Sequence, residues 1–144
     1  MRNLAAVIEI SQTAYAQMVA AALDAYPLEA CGLIAGPPGA SGVPGDRAAV
    51  FYPCTNTAQS ARVYTIDPKD HLRAERAADD CDFEINGVVH SHTHSEPYPS
   101  PTDVAAAPDS TWHYVIVSLK REAPEARSYR IVDGRIIEEP IVVV

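Results

Sequence analysis

A strand-like run, INGVV at residues 85–89, leads directly into three histidines within five residues, His90, His92 and His94 of HSHTH. In extended backbone, residues i and i+2 point to the same side, so His90 and His92 present their imidazoles together. Two convergent neutral imidazoles are the usual beginning of a zinc or iron site. A His-x-His pair is weak evidence alone, because polar residues also end strands where they meet solvent. The continuation sharpens it: seven residues separate His92 from Ser100, and two separate Ser100 from Asp103. Ser-Pro-Thr-Asp also reads as a capping box, with serine at the cap, proline in the first turn and an acid three residues on. The two readings are compatible. A carboxylate in a first helical turn is held in place, as a ligand must be, and a cap serine points its hydroxyl outward.

The rest of the chain supplies alternating strands and helices. At 144 residues it is expected to be one domain, residues 1–144, long enough to bury a core without staples. Leu4–Ile10 reads as a first strand, and Ser11 as the cap of a helix whose Tyr15, Met18, Val19 and Ala22 share a face. Pro27 marks the end of that helix. Cys31–Ala35 is short and apolar, a buried strand, and the glycine- and proline-rich residues 36–46 form a surface loop. Strands are expected at Ala48–Tyr52 and Arg62–Ile66. Asp67-Pro68 then starts a second helix to about Asp80, with Ala74, Ala77, Ala78 and Cys81 facing inward. A short third helix opens at Ser100 and runs to about Ala106. Three strands follow, Tyr114–Leu119, Arg127–Val132 and Arg135–Val143, the last two joined by an Asp133-Gly134 hairpin. The pattern predicts an α/β fold, a mixed sheet flanked by helices.

Composition narrows the partners. Lys and Arg number 11 against 19 Asp and Glu, a formal net charge of −8, and no basic cluster rises above that background. A nucleic-acid partner held through phosphates is therefore not expected. MRNLAAVIEISQ lacks the apolar core of a cleavable signal, and no run of ~18 apolar residues occurs, so neither secretion nor a membrane span is expected. Three widely spaced cysteines, Cys31, Cys54 and Cys81, fit neither a disulfide framework nor a zinc ribbon; the expected location is the cytoplasm. Oligomeric state is not legible. The apolar IVVV segment is expected to pair within the monomer.

His-x-His-x7-Ser-x2-Asp, matched without a gap, resembles the motif of the JAMM (MPN-plus) metalloproteases. PLEACGLIAG, residues 27–36, is similar to that family's upstream segment, with Glu29 in the place of its glutamate. The resemblance covers about residues 4–120 and implies the JAMM/MPN fold, which is cytidine-deaminase-like: a curved, mixed, mostly antiparallel sheet with flanking helices. It implies one zinc per chain held by His90, His92 and Asp103, three protein ligands that leave a fourth position for water, as in catalytic sites. It assigns Glu29 as general base and Ser100 as donor to the oxyanion. Thr93 departs from the proline that many deubiquitinating members carry there, and points to a bacterial stand-alone branch.

HSHT, EPYPSPTD and the closing RSYRIVDG…EEP are similar to the sulfur-carrier-protein–cysteine peptidases, which cut cysteine from the C-terminal glycine of a small ubiquitin-like carrier. The implied partner is a carrier with a Gly-Gly tail, and the implied role is in cysteine biosynthesis. Within the family, an isopeptidase acting on another ubiquitin-like tail is the alternative. Outside it, His90-Ser91-His92 followed by Glu96 resembles the first metal motif of the cupins, though the expected glycines and a second histidine motif are missing. A metal-free MPN-like scaffold is a third class, and such members have usually lost ligands that are all present here. His94 lies outside the family pattern and is expected at the solvent or substrate rim. His71 and His113 are expected to be structural, and Cys31 a buried core thiol.

Overall fold

The computed structural model describes residues 7–40 and 44–144. Strand β1 (Ile8–Ile10) leads into helix α1 (Gln12–Ala25), capped by Ser11, whose hydroxyl accepts from the Ala14 N–H at 3.1 Å. Ala14, Met18 and Ala22 form the buried stripe of α1, with Tyr15 and Val19 packed beside it. Then come β2 (Cys31–Gly36), β3 (Arg47–Ala48), β4 (Val50–Cys54), α2 (Pro68–Asp80), β5 (Glu84–His92), α3 (Pro101–Ala106), β6 (His113–Ser118), β7 (Glu125–Val132), β8 (Arg135–Glu139) and β9 (Ile141–Val143). Six strands form the main sheet in the order β4-β2-β5-β6-β7-β8. Every pair in it is antiparallel except β5–β6, which is parallel. The mixed, mostly antiparallel sheet expected from the sequence is therefore present.

Strand alternation divides the core in two. Ile34, Val89, Val115 and Val117 face α1, where Met18, Ala22 and Phe51 complete the packing. Leu33, Val88, Tyr114 and Ile116 face the other way, toward Ala74 of α2. His90 and His92 share the parity of Val88, so both belong to the α2 side, and Ser91 turns to the α1 side.

Several expectations are corrected. A second, all-parallel sheet, β3-β1-β9, was not foreseen. Its cause is Pro140, which has no N–H to give a ladder; the expected single strand Arg135–Val143 breaks there. Its first part stays beside β7, and its second part crosses to pair Ile141 with Ile8. The IVVV segment thus pairs within the monomer, as expected. The strand expected at Ala48–Tyr52 divides at Ala49 into β3 and β4, which lie in different sheets.

Arg62–Ile66 is not a strand but holds one isolated bridge, Asn56 with Ile66. The Asn56 side chain takes the place of a ladder: its Oδ1 accepts from the N–H groups of Ala58 and Thr65, and its Nδ2 donates to the Val63 carbonyl. Cys81 is exposed rather than inward, because α2 ends before it and Asp82, at φ 57°, turns the chain away. Asp133 and Gly134 both take positive φ, 50° and 76°, the backbone that a two-residue hairpin of this kind requires. Leu4–Ala6 of the expected first strand, and residues 41–43 of the expected loop, lie outside the described residues. No helix among the described residues is long and apolar enough to cross a membrane.

Candidate metal centre

Because β5 and β6 run parallel, the chain must cross from the end of one to the start of the other. That crossover carries Ser100 and Asp103 over the α2 side of the sheet, where the two imidazoles point. His90 Nε2 lies 3.2 Å from His92 Nε2 and 3.2 Å from Asp103 Oδ2, and His92 Nε2 lies 3.1 Å from the same oxygen. Three donors at the corners of a tetrahedron with bonds of about 2.0–2.1 Å stand about 3.3–3.4 Å apart, so this nearly equilateral triangle fits a small divalent cation. Two imidazole nitrogens and a carboxylate, with no thiolate, form the one such group among the described residues.

Two of the three donors are held from behind by hydrogen bonds. The Nδ1–H of His92 donates to the Glu96 carbonyl at 2.7 Å, which leaves the Nε2 lone pair facing the other donors. Asp103 Oδ2 accepts from the Ser100 backbone N–H at 2.9 Å, while Ser100 Oγ accepts from the Asp103 N–H at 3.0 Å. The capping box and the candidate ligand set thus share Asp103, and the Ser100 hydroxyl hydrogen is not used by the cap. Glu96 is itself anchored: Arg121 grips its carboxylate with two bonds of 2.7 Å and Lys120 adds a third at 3.2 Å. Those hydrogen bonds, that of Arg121 foremost, hold the Glu96 carboxyl down at about 2. This carboxylate pairs with cations instead of joining the imidazoles, and the chain carries three helices beside its sheets, so the cupin reading fails.

Glu29 arrives from the turn between α1 and β2. Its N–H donates to the Ser60 carbonyl at 2.8 Å, and its own carbonyl accepts from Asn56 Nδ2 at 3.1 Å. The next residue is tied to β5 twice, by the Ala30 N–H to Ser91 Oγ at 2.7 Å and by the Ser91 N–H to the Ala30 carbonyl at 3.0 Å. The carboxyl is buried, and its Oε1 has no hydrogen-bond partner among the described residues. An orphaned buried carboxylate oxygen in the field of His92 and Asp103 is what a site built for a cation and its water would contain. Burial pushes the Glu29 carboxyl up to about 7; the His92 charge pulls it down and the Asp103 charge pushes it up.

Burial also lowers His90, which keeps it in the neutral, ligating form. For His92 burial acts downward too, but hydrogen bonds to Asp103 and Glu96 outweigh it and leave the ring above its usual value. Burial would raise Asp103, yet the hydrogen bonds from both histidines dominate and hold its carboxyl well below the carboxylate range.

The Glu29 shift has a measurable effect on stability. In metal-free protein the folded chain keeps this proton up to about pH 7, whereas the unfolded chain releases it near 4.5. Between those values the folded state binds more protons, so this group's contribution to stability falls as pH rises, by about 1–3 kcal/mol across the window after solvent screening. In urea unfolding with chelator present, wild-type stability is expected to fall relative to that of Glu29→Gln as pH rises through this window, the shifts of His90 and His92 being common to both proteins. Parallel curves for the two proteins would contradict the assignment.

The remaining expectations divide. His94 is exposed, as expected, but it is engaged: the Tyr26 hydroxyl donates to its Nε2 at 3.3 Å, and its Nδ1–H donates to Thr93 Oγ1 at 2.9 Å. Thr93 in turn donates to the Ala61 carbonyl at 3.1 Å. His113 is fully buried between Glu139, 2.5 Å from Nδ1, and Asp46, 3.1 Å from Nε2, a structural role as expected. His71 sits on the α2 surface beside Glu75. Cys31 is a core thiol pushed up to about 12, chiefly by burial. Ser91, Asn56, Tyr64 and the Glu96 carbonyl were missed. Strand alternation between the two histidines would have aimed Ser91 away from them; nothing local in the sequence marks the other three.

Comparison with known proteins agrees with this geometry. The family described as prokaryotic homologs of the JAB domain matches residues 11–132. A CysO-cysteine peptidase of Mycobacterium tuberculosis is 44% identical over 128 residues, covering 88% of this chain and 84% of that protein. The solution structure of a protein from Desulfitobacterium hafniense superposes with a TM-score of 0.81 at 30% identity, covering 96% of this chain and 93% of that one. A JAB1/MPN domain protein from Archaeoglobus fulgidus shares the fold at 19% identity, with a TM-score of 0.60 over 94% of this chain and 99% of that one. With most of its length matched and the His-His-Asp set assembled in three dimensions, the chain belongs to the prokaryotic homologues of the JAB domain and has the JAMM/MPN fold.

Proposed function

We propose that the protein is a zinc-dependent peptidase of the cytoplasm that hydrolyses the amide between the C-terminal glycine of a ubiquitin-like sulfur carrier protein and cysteine, releasing cysteine for biosynthesis. The observation that carries the hydrolytic reading is the buried Glu29 carboxylate beside the three-donor cluster, its Oε1 without a partner among the described residues. The choice of substrate is supported by the 44% identity to a protein named CysO-cysteine peptidase.

His90 Nε2, His92 Nε2 and Asp103 Oδ2 would hold one zinc per chain. When bound there, zinc supplies Lewis acidity, polarising the scissile carbonyl and lowering the pKa of water toward ~7. The protein's own groups do the rest. Glu29 takes the proton of the attacking water and passes it to the departing amine of cysteine; a carboxyl poised near neutrality serves both transfers. One C–O bond forms and one C–N bond breaks. The Ser100 hydroxyl donates to the carbonyl oxygen as it gains negative charge, and losing such a donor typically costs ~3 kcal/mol of transition-state stabilisation. A tail ending in glycines suits the site because it lets the backbone approach the cluster closely.

Mass spectrometry of a carrier–cysteine adduct, incubated with zinc-loaded protein, tests the reading. Release of cysteine, with poor cutting of ubiquitin dimers, is the expected result. An unchanged adduct beside rapid cleavage of linked ubiquitin would replace this substrate with the isopeptidase alternative.

A further inference from the structure

The two histidines of the cluster are held by different means. His92 has the outer hydrogen bond to the Glu96 carbonyl, whereas His90 Nδ1 is buried and has no partner among the described residues. A metal-ligating imidazole usually donates its second N–H to a carbonyl or carboxylate, which sets its tautomer and the direction of the ligating nitrogen. At His90 an aromatic ring stands in that role. Tyr64 lies nearly flat on the imidazole, with ring centroids 4.4 Å apart and planes 21° from parallel.

Tyr64 is itself firmly placed. It belongs to the 55–66 segment, which Asn56 folds by filling all its amide hydrogen bonds: Nδ2 to the carbonyls of Glu29 and Val63, Oδ1 from the N–H groups of Ala58 and Thr65. The same segment is stapled to the site at two further points, Ser60 to the Glu29 N–H and Ala61 to the Thr93 hydroxyl. One loop therefore carries Tyr64 over His90 while gripping Glu29 on one side and the residue after His92 on the other.

We propose that Tyr64 is a positioning residue for the metal centre: its ring, stacked on His90, replaces the absent outer hydrogen bond and aims Nε2 at the other two donors. This rests on the metal reading of the site given above. The ring face does the work, and the hydroxyl is dispensable.

The test compares wild type, Tyr64→Phe and Tyr64→Leu, with Tyr64→Met replacing leucine if that variant does not fold. Zinc affinity is read by competition with a chromogenic chelator, and ligand geometry by the visible d–d absorption of cobalt(II) bound in place of zinc. Tyr64→Phe is expected to match the wild type in both. The aliphatic variant, with wild-type circular dichroism and still filling the core, is expected to bind zinc about 10-fold more weakly and to give a shifted cobalt spectrum. A purely structural role predicts the opposite, since an apolar filler then suffices. Wild-type affinity and spectrum in the aliphatic variant would overturn the proposal, as would a phenylalanine variant as weak as the aliphatic one. Wild-type protein that takes up no cobalt or zinc would overturn the metal reading itself and this proposal with it.

Discussion

Glu29→Gln is expected to keep one metal ion per chain while turnover falls by about 100-fold or more. The change is nearly isosteric, and Oε1 has no hydrogen bond to lose among the described residues. The backbone of residue 29 is held by Ser60 and Asn56, neither of which senses the side chain. What disappears is the ability to accept a proton from water and return it to the leaving amine. Elemental analysis and rate measurement on the same preparation separate the outcomes. If metal and activity vanish together, Glu29 is a ligand; if activity persists, another residue takes the proton.

His92→Ala is expected to do the reverse. One of three donors is removed, so metal content should drop close to zero and activity to background. The backbone pairing of His92 with Ser118 does not depend on the imidazole, and unfolding should remain cooperative. Asp103 would lose one of the two histidine hydrogen bonds that hold its buried charge, so the metal-free variant should be less stable than the metal-free wild type by about 1–3 kcal/mol. Undiminished metal content, or wild-type activity after exhaustive chelation, would refute the ligand assignment.

Much of this centre was legible because it rests on short-range rules. A period of two places His90 and His92 on one side, and a capping box places Ser100 and Asp103 in a first turn. Glu29 was legible only through resemblance, since an acid just after a helix end ordinarily faces solvent. Its burial is a product of three segments meeting there: the end of α1, the 55–66 loop and Ser91 of β5. Tyr64 and Asn56 were not legible for the same reason. Asn56 acts through bonds to residues as distant as Glu29, and β-branched residues around Tyr64 suggested a strand that the Asn56 amide forestalls. Pro140 is a different kind of miss: proline inside a strand pattern is a visible break signal, and here it sends the chain into a second sheet.

That second sheet also bears on the order in which the molecule assembles. Ile8 can find Ile141 only after the chain has been synthesised as far as β9. The main sheet needs no such wait for its centre, because β2, β5 and β6 and the crossover between the last two are all complete by residue 118. On the ribosome, the strands that bear the histidines can therefore pair while β1 is still unpartnered on the side that β9 will occupy. Closing a loop of that length carries an entropic cost that local contacts do not. The pairing of β9 with β1 is therefore expected in the last stage of folding, and substitutions in β9 are expected to act mainly on the unfolding rate.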